Sequence, residues 1–416
     1  MDITIIGGGI IGLCSAYSLT NAGHQVTIIE GNECGTGASS GSAGWMVPSM
    51  SNPFNAPGAI VEAMKSMVHR NGATRFHRLP SWDFLKWAAL FQRNSTSLAS
   101  NAARETLFAL NQDTPRLFQE MRKHIAMEVR DDGLLLPFKT QREIDAYLSA
   151  FETIRAAGYA GAAKALDPQA LQTLEPALAH GLAGGVHLLD EKSVRPETFT
   201  TGLVQWLRKA GTTIVEHTAV RGLAQEPGGW SIDTSHGTYR AEHVVLAAGT
   251  ASTRVLRTLG VSLPMEGGRG CSITTTEGPA LRYPIKLLSS RVACTPFTGG
   301  TRYAGTFDFT SGNRPASLER MRSALRAGSA YIPGLATLKP EPGSVFSGLR
   351  PSTPDSVPYI GPVPGHKGLL VATGHGTLGL TLGPVTGEAV AALVANESVP
   401  EYIRKCALDR PQIRFS

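Results

Sequence analysis

The chain opens on a branched apolar run, Ile3-Thr4-Ile5-Ile6, which predicts a buried strand, and then breaks at Gly7-Gly8-Gly9. Leu13 to Ala22 is rich in helix formers, and Val26-Thr27-Ile28-Ile29 predicts a second strand that ends on Glu30. Three later runs read as returns to the same sheet: Thr212-Thr213-Ile214-Val215, ending near Val220; Tyr239 to Leu246, leading into Ala247-Ala248-Gly249-Thr250; and Leu369 to Thr373. The last runs into a glycine turn and a helical pattern from about Leu380 to Ala395. Segments 133–138 and 292–309 predict strands of a different sheet. Residues 60–125 predict helices, with Trp82, Trp87 and Phe91 on an apolar stripe that reads first as core packing, a lid or a membrane or partner contact being the alternative.

At 416 residues the chain exceeds what one hydrophobic core supports, so two domains are expected. Apolar residues at 42% and charged ones at 17% fit a globular enzyme and exclude a disordered or fibrous chain. A net charge of +6 favours anionic neighbours, but Lys and Arg are scattered without a run of five, so they read as solvated surface and not as a nucleic acid site. The five cysteines form no Cys-x-x-Cys pair and no zinc-ligand spacing, which predicts reduced thiols, a cytoplasmic location and no metal. The first residues read as part of the fold rather than a removable signal, and no apolar stretch reaches membrane-span length. Peripheral contact with the inner face of the cell membrane stays open.

The first glycine turn carries the most direct chemistry. In Gly7-Gly8-Gly9-Ile10-Ile11-Gly12, Gly7 permits a tight turn, Gly9 lets backbone amides approach a pyrophosphate, and Gly12 lets the helix pack on the strand. Glu30 then stands where a carboxylate binds ribose hydroxyls. The small-residue segment Gly35 to Gly44, with Ser39 and Ser40, suits a ligand lying across the backbone, or equally a flexible linker. Near the C-terminus, Gly348-Leu349-Arg350-Pro351 and Gly374-His375-Gly376-Thr377-Leu378-Gly379-Leu380-Thr381 bring a rigid arginine and a glycine-rich helix start into one stretch. Arg350 suits a carboxylate ligand or a structural pairing with Asp355. His375 is open as an acid, a base, a hydrogen bonder to a cofactor, or a packed, satisfied histidine. Only one dinucleotide fingerprint is present, so a second nucleotide such as NADPH has no visible seat.

The fingerprint, the 38–44 loop, Leu174-Glu175-Pro176-Ala177-Leu178, Phe199-Thr200-Thr201, Ala247-Ala248-Gly249 and the two C-terminal motifs, in this order, resemble the D-amino acid oxidase superfamily. Within it the pattern is most similar to the small-subunit type of D-amino acid dehydrogenase and D-hydroxyproline dehydrogenase. The resemblance implies an α/β fold: a Rossmann-type FAD-binding domain from 1–50, 195–262 and 341–400, a discontinuous α+β substrate domain from 51–194 and 263–340 built on a mixed β-sheet plus helices, and a tail at 401–416. It places the FAD pyrophosphate on Gly7, Gly9, Ile10, Ile11 and Gly12 and the ribose on Glu30. It puts Ser39, Ser40, Val220, Ala248, Gly249 and Gly348 around the dinucleotide, Val220 meeting the adenine through its backbone. The isoalloxazine ring is expected against Gly44, Trp45 and Met46 and against Gly374 to Thr381, and the arginine matching Arg350 binds the substrate carboxylate in the glycine oxidase branch.

The implied reaction is oxidative deamination of D-amino or cyclic D-imino acids: hydride passes from Cα to flavin N5, the imine hydrolyses, and electrons leave to oxygen, a quinone or an electron-transfer partner. Several positions depart from the family pattern. Ser42 stands where Asn is usual, Arg269-Gly270-Cys271 where Lys-Gly-Tyr is common, and neither the arginine at the position of Thr377 nor a tyrosine near Cys294 is present. Ser193-Val194-Arg195-Pro196 departs from the acidic dehydrogenase motif, which brings D-proline and hydroxy-D-proline into range. A FAD-dependent 2-hydroxy acid oxidase or dehydrogenase, or a flavin-carrying subunit of a larger electron-transfer assembly, are the alternatives.

Overall fold

A computed structural model describes residues 1–58, 74–76, 81–309 and 317–414. Strand Asp2–Ile6, helix Ile10–Asn21 and strand Gln25–Ile29 form the first βαβ unit. Around it a six-stranded sheet runs in the order Thr213–Val215, Gln25–Ile29, Asp2–Ile6, His243–Leu246, Leu369–Thr373, Tyr359–Pro362. All neighbours are parallel except the last pair. Ile3, Ile5, Ile28, Val244, Val245 and Val371 are fully buried, as expected where a parallel sheet is covered on both faces and its strands read as continuous apolar runs.

Helix Gly379–Val394 covers one face and packs on helix Ile10–Asn21. The contact is close because the second helix presents glycines: a Cβ at Gly387 would fall 2.4 Å from the Cys14 carbonyl oxygen, and one at Gly383 3.0 Å from Cys14 Sγ. The predicted strand from Tyr239 to Leu246 is in fact two. Gly237–Ala241 closes an antiparallel meander with Val220–Glu226 and Gly229–Thr234, while His243–Leu246 enters the parallel sheet. Burial separates them, since the first piece is mostly exposed and the second mostly buried.

The second layer is a large mixed sheet ordered Phe346–Ser352, Glu266–Thr275, Gly300–Phe309, Val292–Phe297, Ile285–Leu287, Leu134–Phe138, Gly184–Leu188, Ala163–Leu166. Strand Phe346–Ser352, grouped in the sequence with the nucleotide-binding segments, pairs here along its whole length with Glu266–Ser272, so the chain crosses between layers only after Ser352. The expected strands at 133–138 and 292–309 are present, the latter as a hairpin.

The helical stretch appears as Trp82–Asn94, Ser97–Gln112 and Thr114–Arg122. Of its earlier part, residues 60–73 and 77–80 lie outside the described residues, and Thr74–Phe76 is a short strand paired with Phe307–Phe309. The aromatic stripe divides. Trp87 is buried, with Nε1 donating to the Ser352 carbonyl at 2.9 Å, and Phe91 stacks on it, whereas Trp82 is 79% exposed. Five residues turn a helix about 140° past a full turn, so Trp82 cannot share the face of Trp87 and Phe91. No described helix is long and apolar enough to cross a membrane.

The C-terminal tail is tied to the body through a buried ion pair. Arg410 Nε donates to Asp355 Oδ2 at 2.7 Å and Nη2 to Oδ1 at 3.0 Å, and the same guanidinium also donates to the carbonyls of Val357, Pro358, Cys406 and Ala407. Truncating one partner leaves the other charge buried. Asp355→Ala is therefore expected to lower stability by about 3–5 kcal/mol, read as a drop in the urea midpoint of the purified holoprotein.

Candidate active site

Between the two layers lies one cavity of about 1450 Å³. That is larger than an ordinary single-ligand pocket and suits a dinucleotide together with a small substrate. Its lining starts at Gly7, Gly9, Ile10, Ile11, Glu30 and Val220, passes Ser39, Gly44, Trp45, Ala248, Gly249 and Gly348, and ends among His375, Gly376, Thr377, Leu378, Gly379 and Arg350. Most of the residues picked out in the sequence therefore meet in one space.

Gly12, Ser40, Met46, Gly374 and Thr381 are not in the wall and act from behind it. A Cβ on Gly12 would fall 1.9 Å from the Gly7 carbonyl oxygen, so this glycine sets helix-to-strand packing rather than ligand contact. Ser40 Oγ turns back to the carbonyls of Thr36 and Gly37, and the Met46 side chain belongs to the apolar core. Gly374, at φ +83°, packs tightly against Thr353 and Tyr359, and Thr381 Oγ1 donates to the Trp45 carbonyl at 3.2 Å.

The pyrophosphate end is built from backbone. Gly7 adopts φ +109°, and a Cβ there would lie 2.6 Å from the Ala247 carbonyl oxygen, which only glycine allows. Helix Ile10–Asn21 carries no acidic residue in its first turn to compete for an anion at its positive end, where the Ile10 amide donates to Ser39 Oγ at 3.1 Å. Glu30 is held in place at both oxygens, Oε2 accepting from the Gly8 amide at 2.7 Å and Oε1 from the Asn32 amide at 2.9 Å, and each oxygen keeps lone-pair capacity for ribose hydroxyls.

Residues that the sequence did not single out fix the 40–45 loop. Arg302 Nη1 donates to the carbonyls of Ser40 at 2.6 Å and Ser42 at 3.1 Å; Ser272 Oγ donates to Gly41 and Thr295 Oγ1 to Ala43, both at 2.8 Å. The Val194 amide takes the Gly44 carbonyl at 2.6 Å. The carbonyls from Ser40 to Trp45 are all engaged by protein donors and the amides of Ser40, Ser42 and Gly44 bond within the loop, so the backbone groups it has left at 41–43 are the Gly41 and Ala43 N–H, donors of the kind a flavin ring's carbonyls and ring nitrogens need. Arg302, Ser272 and Thr295 are buried on strands of the large sheet, and polar residues inside otherwise apolar strands were the one signal that could have flagged them.

Arg350 faces the cavity without the partner considered for it, because Asp355 is taken by Arg410. Its Nη1 donates to the Thr306 carbonyl at 3.0 Å, its guanidinium lies over the Phe307 ring at 5.6 Å, and among the described residues no carboxylate pairs with it. Gly270 makes the room, since a Cβ there would collide with the guanidinium at 2.1 Å. Burial pulls the Arg350 pKa below the ordinary arginine value. An anion of matching shape relieves that cost.

His375 lines the same space but is 5% exposed, with Nε2 and Thr386 Oγ1 2.9 Å apart and no partner at Nδ1 among the described residues. Desolvation lowers its pKa to about 3, so the ring stays neutral throughout the working range.

This arrangement defines a dinucleotide-binding enzyme whose mixed sheet closes a substrate space over the nucleotide layer. The family model of the FAD dependent oxidoreductases (DAO) matches residues 2–393, and the chain belongs to that family. It is 31% identical to a D-amino acid dehydrogenase of Methylobacterium sp. over 95% of both chains, and 28% identical to a D-amino acid dehydrogenase of Bradyrhizobium diazoefficiens over 100% of both. In fold it is similar to glycine oxidase from Geobacillus kaustophilus, with a TM-score of 0.77 at 24% identity over 98% of each chain. It is also similar to L-proline dehydrogenase from P. horikoshii, with a TM-score of 0.73 at 19% identity over 98% of this chain and 96% of that one.

A histidine whose folded pKa lies near 3 does not change charge between about pH 5 and 9. His375→Gln is accordingly expected to leave the shape of the kcat/KM pH profile unaltered across that range, and loss of an inflection in the variant would show that the ring titrates.

Proposed function

We propose that the chain oxidises D-amino acids, or cyclic D-imino acids such as D-proline and hydroxy-D-proline, at the bond between Cα and nitrogen. The observation that carries this reading is Arg350: a guanidinium held by Thr306 and Phe307, turned to the cavity and, among the described residues, paired with no carboxylate. The two relatives named D-amino acid dehydrogenase, similar along their whole length, support the amine side of the substrate.

The residues present fit FAD. Gly7, Gly9 and the start of helix Ile10–Asn21 would hold its pyrophosphate, Glu30 its ribose, Val220 its adenine, and the 44–45 and 376–379 segments its ring. FAD when bound supplies the hydride acceptor. The protein contributes orientation: Arg350 clamps the substrate carboxylate and so fixes the direction of the Cα hydrogen. A substrate bound with its amine deprotonated needs no side-chain base, which agrees with a neutral His375 tied to Thr386. The imine then leaves and is hydrolysed by water, and oxygen, a quinone or an electron-transfer partner takes the electrons.

An anaerobic screen of D-alanine, D-proline and D-lactate, read as loss of flavin colour in the holoprotein, tests the reading. Reduction by the amines and not by D-lactate is expected; the reverse pattern would establish a 2-hydroxy acid enzyme. Arg350→Leu is expected to keep its flavin and raise KM at least tenfold, a loss of about 1.4 kcal/mol. An unchanged KM would remove the clamp assignment.

A further inference from the structure

Besides Arg350 the cavity wall holds three cations, Arg254, Lys286 and Arg291, and of these Lys286 is the one that is not exposed. Lys286 sits on strand Ile285–Leu287, half-buried, and its side chain lines the same space. Among the described residues its one hydrogen bond is to the Met50 thioether sulfur at 3.0 Å, a weak acceptor, and its ammonium lies 5.8 Å from the centre of the Trp45 ring. Glu191 is the acid that acts on it electrostatically, but no ion pair joins them: Glu191 Oε1 accepts from the Ser49 amide at 3.1 Å and Tyr159 OH at 2.9 Å, its Oε2 has no hydrogen-bond partner among the described residues, and burial raises its pKa to about 7, so its charge is partly lost near neutrality. Burial without a close counter-ion draws the lysine pKa down to about 8.

The sheet register shows what lies in front of this ammonium. Lys286 pairs with Ala293, and Ala293 with Ala304, so the three side chains share one face of the sheet; both alanines line the cavity. Two small residues in a row leave a trough in the cavity floor leading away from Lys286. On the other side, the Arg350 guanidinium has already reached inward across the one intervening strand, Glu266–Thr275, to the Thr306 carbonyl on strand Gly300–Phe309. Two strand spacings across, about 10 Å, and two residues along the strand, about 7 Å, put Lys286 about 12 Å from Thr306, and the lysine side chain covers part of that distance. The gap that remains suits a short aliphatic chain. Glu30, at the ribose end, is the one carboxylate in the described cavity wall, and the acids that act on these two cations, Glu191 on Lys286 and Asp308 on Arg350, stand behind it and form no ion pair with them among the described residues.

We infer that Lys286 forms a subsite for an anionic substrate side chain, so that the preferred substrates are acidic D-amino acids carrying one carboxylate for Arg350 and a second for Lys286. The inference deepens the proposed amine oxidation and rests on it for the α-amino group, but the dicarboxylate subsite can be read without turnover.

The test uses the holoprotein with glutarate and pentanoate, which share chain length and differ by one carboxylate, in a calorimetric titration. Wild type is expected to bind glutarate at least tenfold more tightly than pentanoate. Lys286→Met should abolish the difference and Lys286→Arg should retain it. In turnover, the kcat/KM ratio of D-glutamate to D-norvaline should fall at least tenfold in Lys286→Met, through KM and not kcat. Equal binding of the two acids by wild type, or a glutarate preference that survives in Lys286→Met, overturns the subsite. If the glutarate preference depends on Lys286 yet no D-amino acid reduces the flavin, the subsite stands and the oxidation reading falls.

Discussion

The structure depends on one steric constraint, the approach of two backbones at Gly7 and Gly12. A Cβ at Gly12 would lie 1.9 Å from the Gly7 carbonyl oxygen, and one at Gly7 would strike Ala247 on the neighbouring strand connection. Because neither side chain exists, helix Ile10–Asn21 starts directly over the strand ends, and its positive terminus faces the cleft. Helix Gly379–Val394 then lies on the first helix through Gly383 and Gly387, which brings its own N-terminus to the same cavity. Two helix starts and a glycine turn thus converge on one space with no cationic side chain needed for the dinucleotide. Arg350 and Lys286 stand in the same cavity wall, apart from these helix starts.

That availability is settled by competition for acids. Asp355 is the carboxylate nearest to Arg350 in sequence, yet it forms a bidentate buried pair with Arg410 from the C-terminal tail. Asp308, on the strand beside Phe307, is held by Arg320 in a second buried pair. Arg320 thereby engages the acid that acts electrostatically on Arg350, and Arg410 the one nearest to it in sequence. Buried pairs of this kind add little to stability over apolar packing, but breaking one is costly. Here their consequence is to leave a guanidinium at the cavity wall whose natural complement is a ligand.

The same logic runs along the flavin loop. Arg302, Ser272 and Thr295 reach across from the large sheet and engage successive carbonyls of the 40–43 segment. A loop made of glycine and small polar residues has little stiffness of its own. Its shape is imposed by the layer opposite, so the two layers are coupled at the wall of the cavity they share.

Much of the nucleotide layer was legible in the sequence, because its signals are local. A branched apolar run, a glycine turn and a helical pattern each depend on neighbours a few residues apart, and the strands at 2–6, 25–29, 213–215 and 369–373 fall where those patterns put them. Arg350 and the 374–381 segment could be recognised for the same reason. The division of Tyr239–Leu246 into two strands, and the placement of Phe346–Ser352 in the far sheet, could not, since apolar alternation does not say which sheet a strand joins. Nor could the choice between a structural and a ligand-binding Arg350. It turns on Arg410, 55 positions from Asp355, and on Thr306 and Gly270, which approach only when three strands align. A dinucleotide-binding layer and an arginine beside it could be read from the residues alone; which buried charges pair with each other, and which are left at the cavity wall, followed from the fold. Local backbone preference is written in adjacent residues, whereas the pairing of buried charges depends on distances that exist only after the chain has folded.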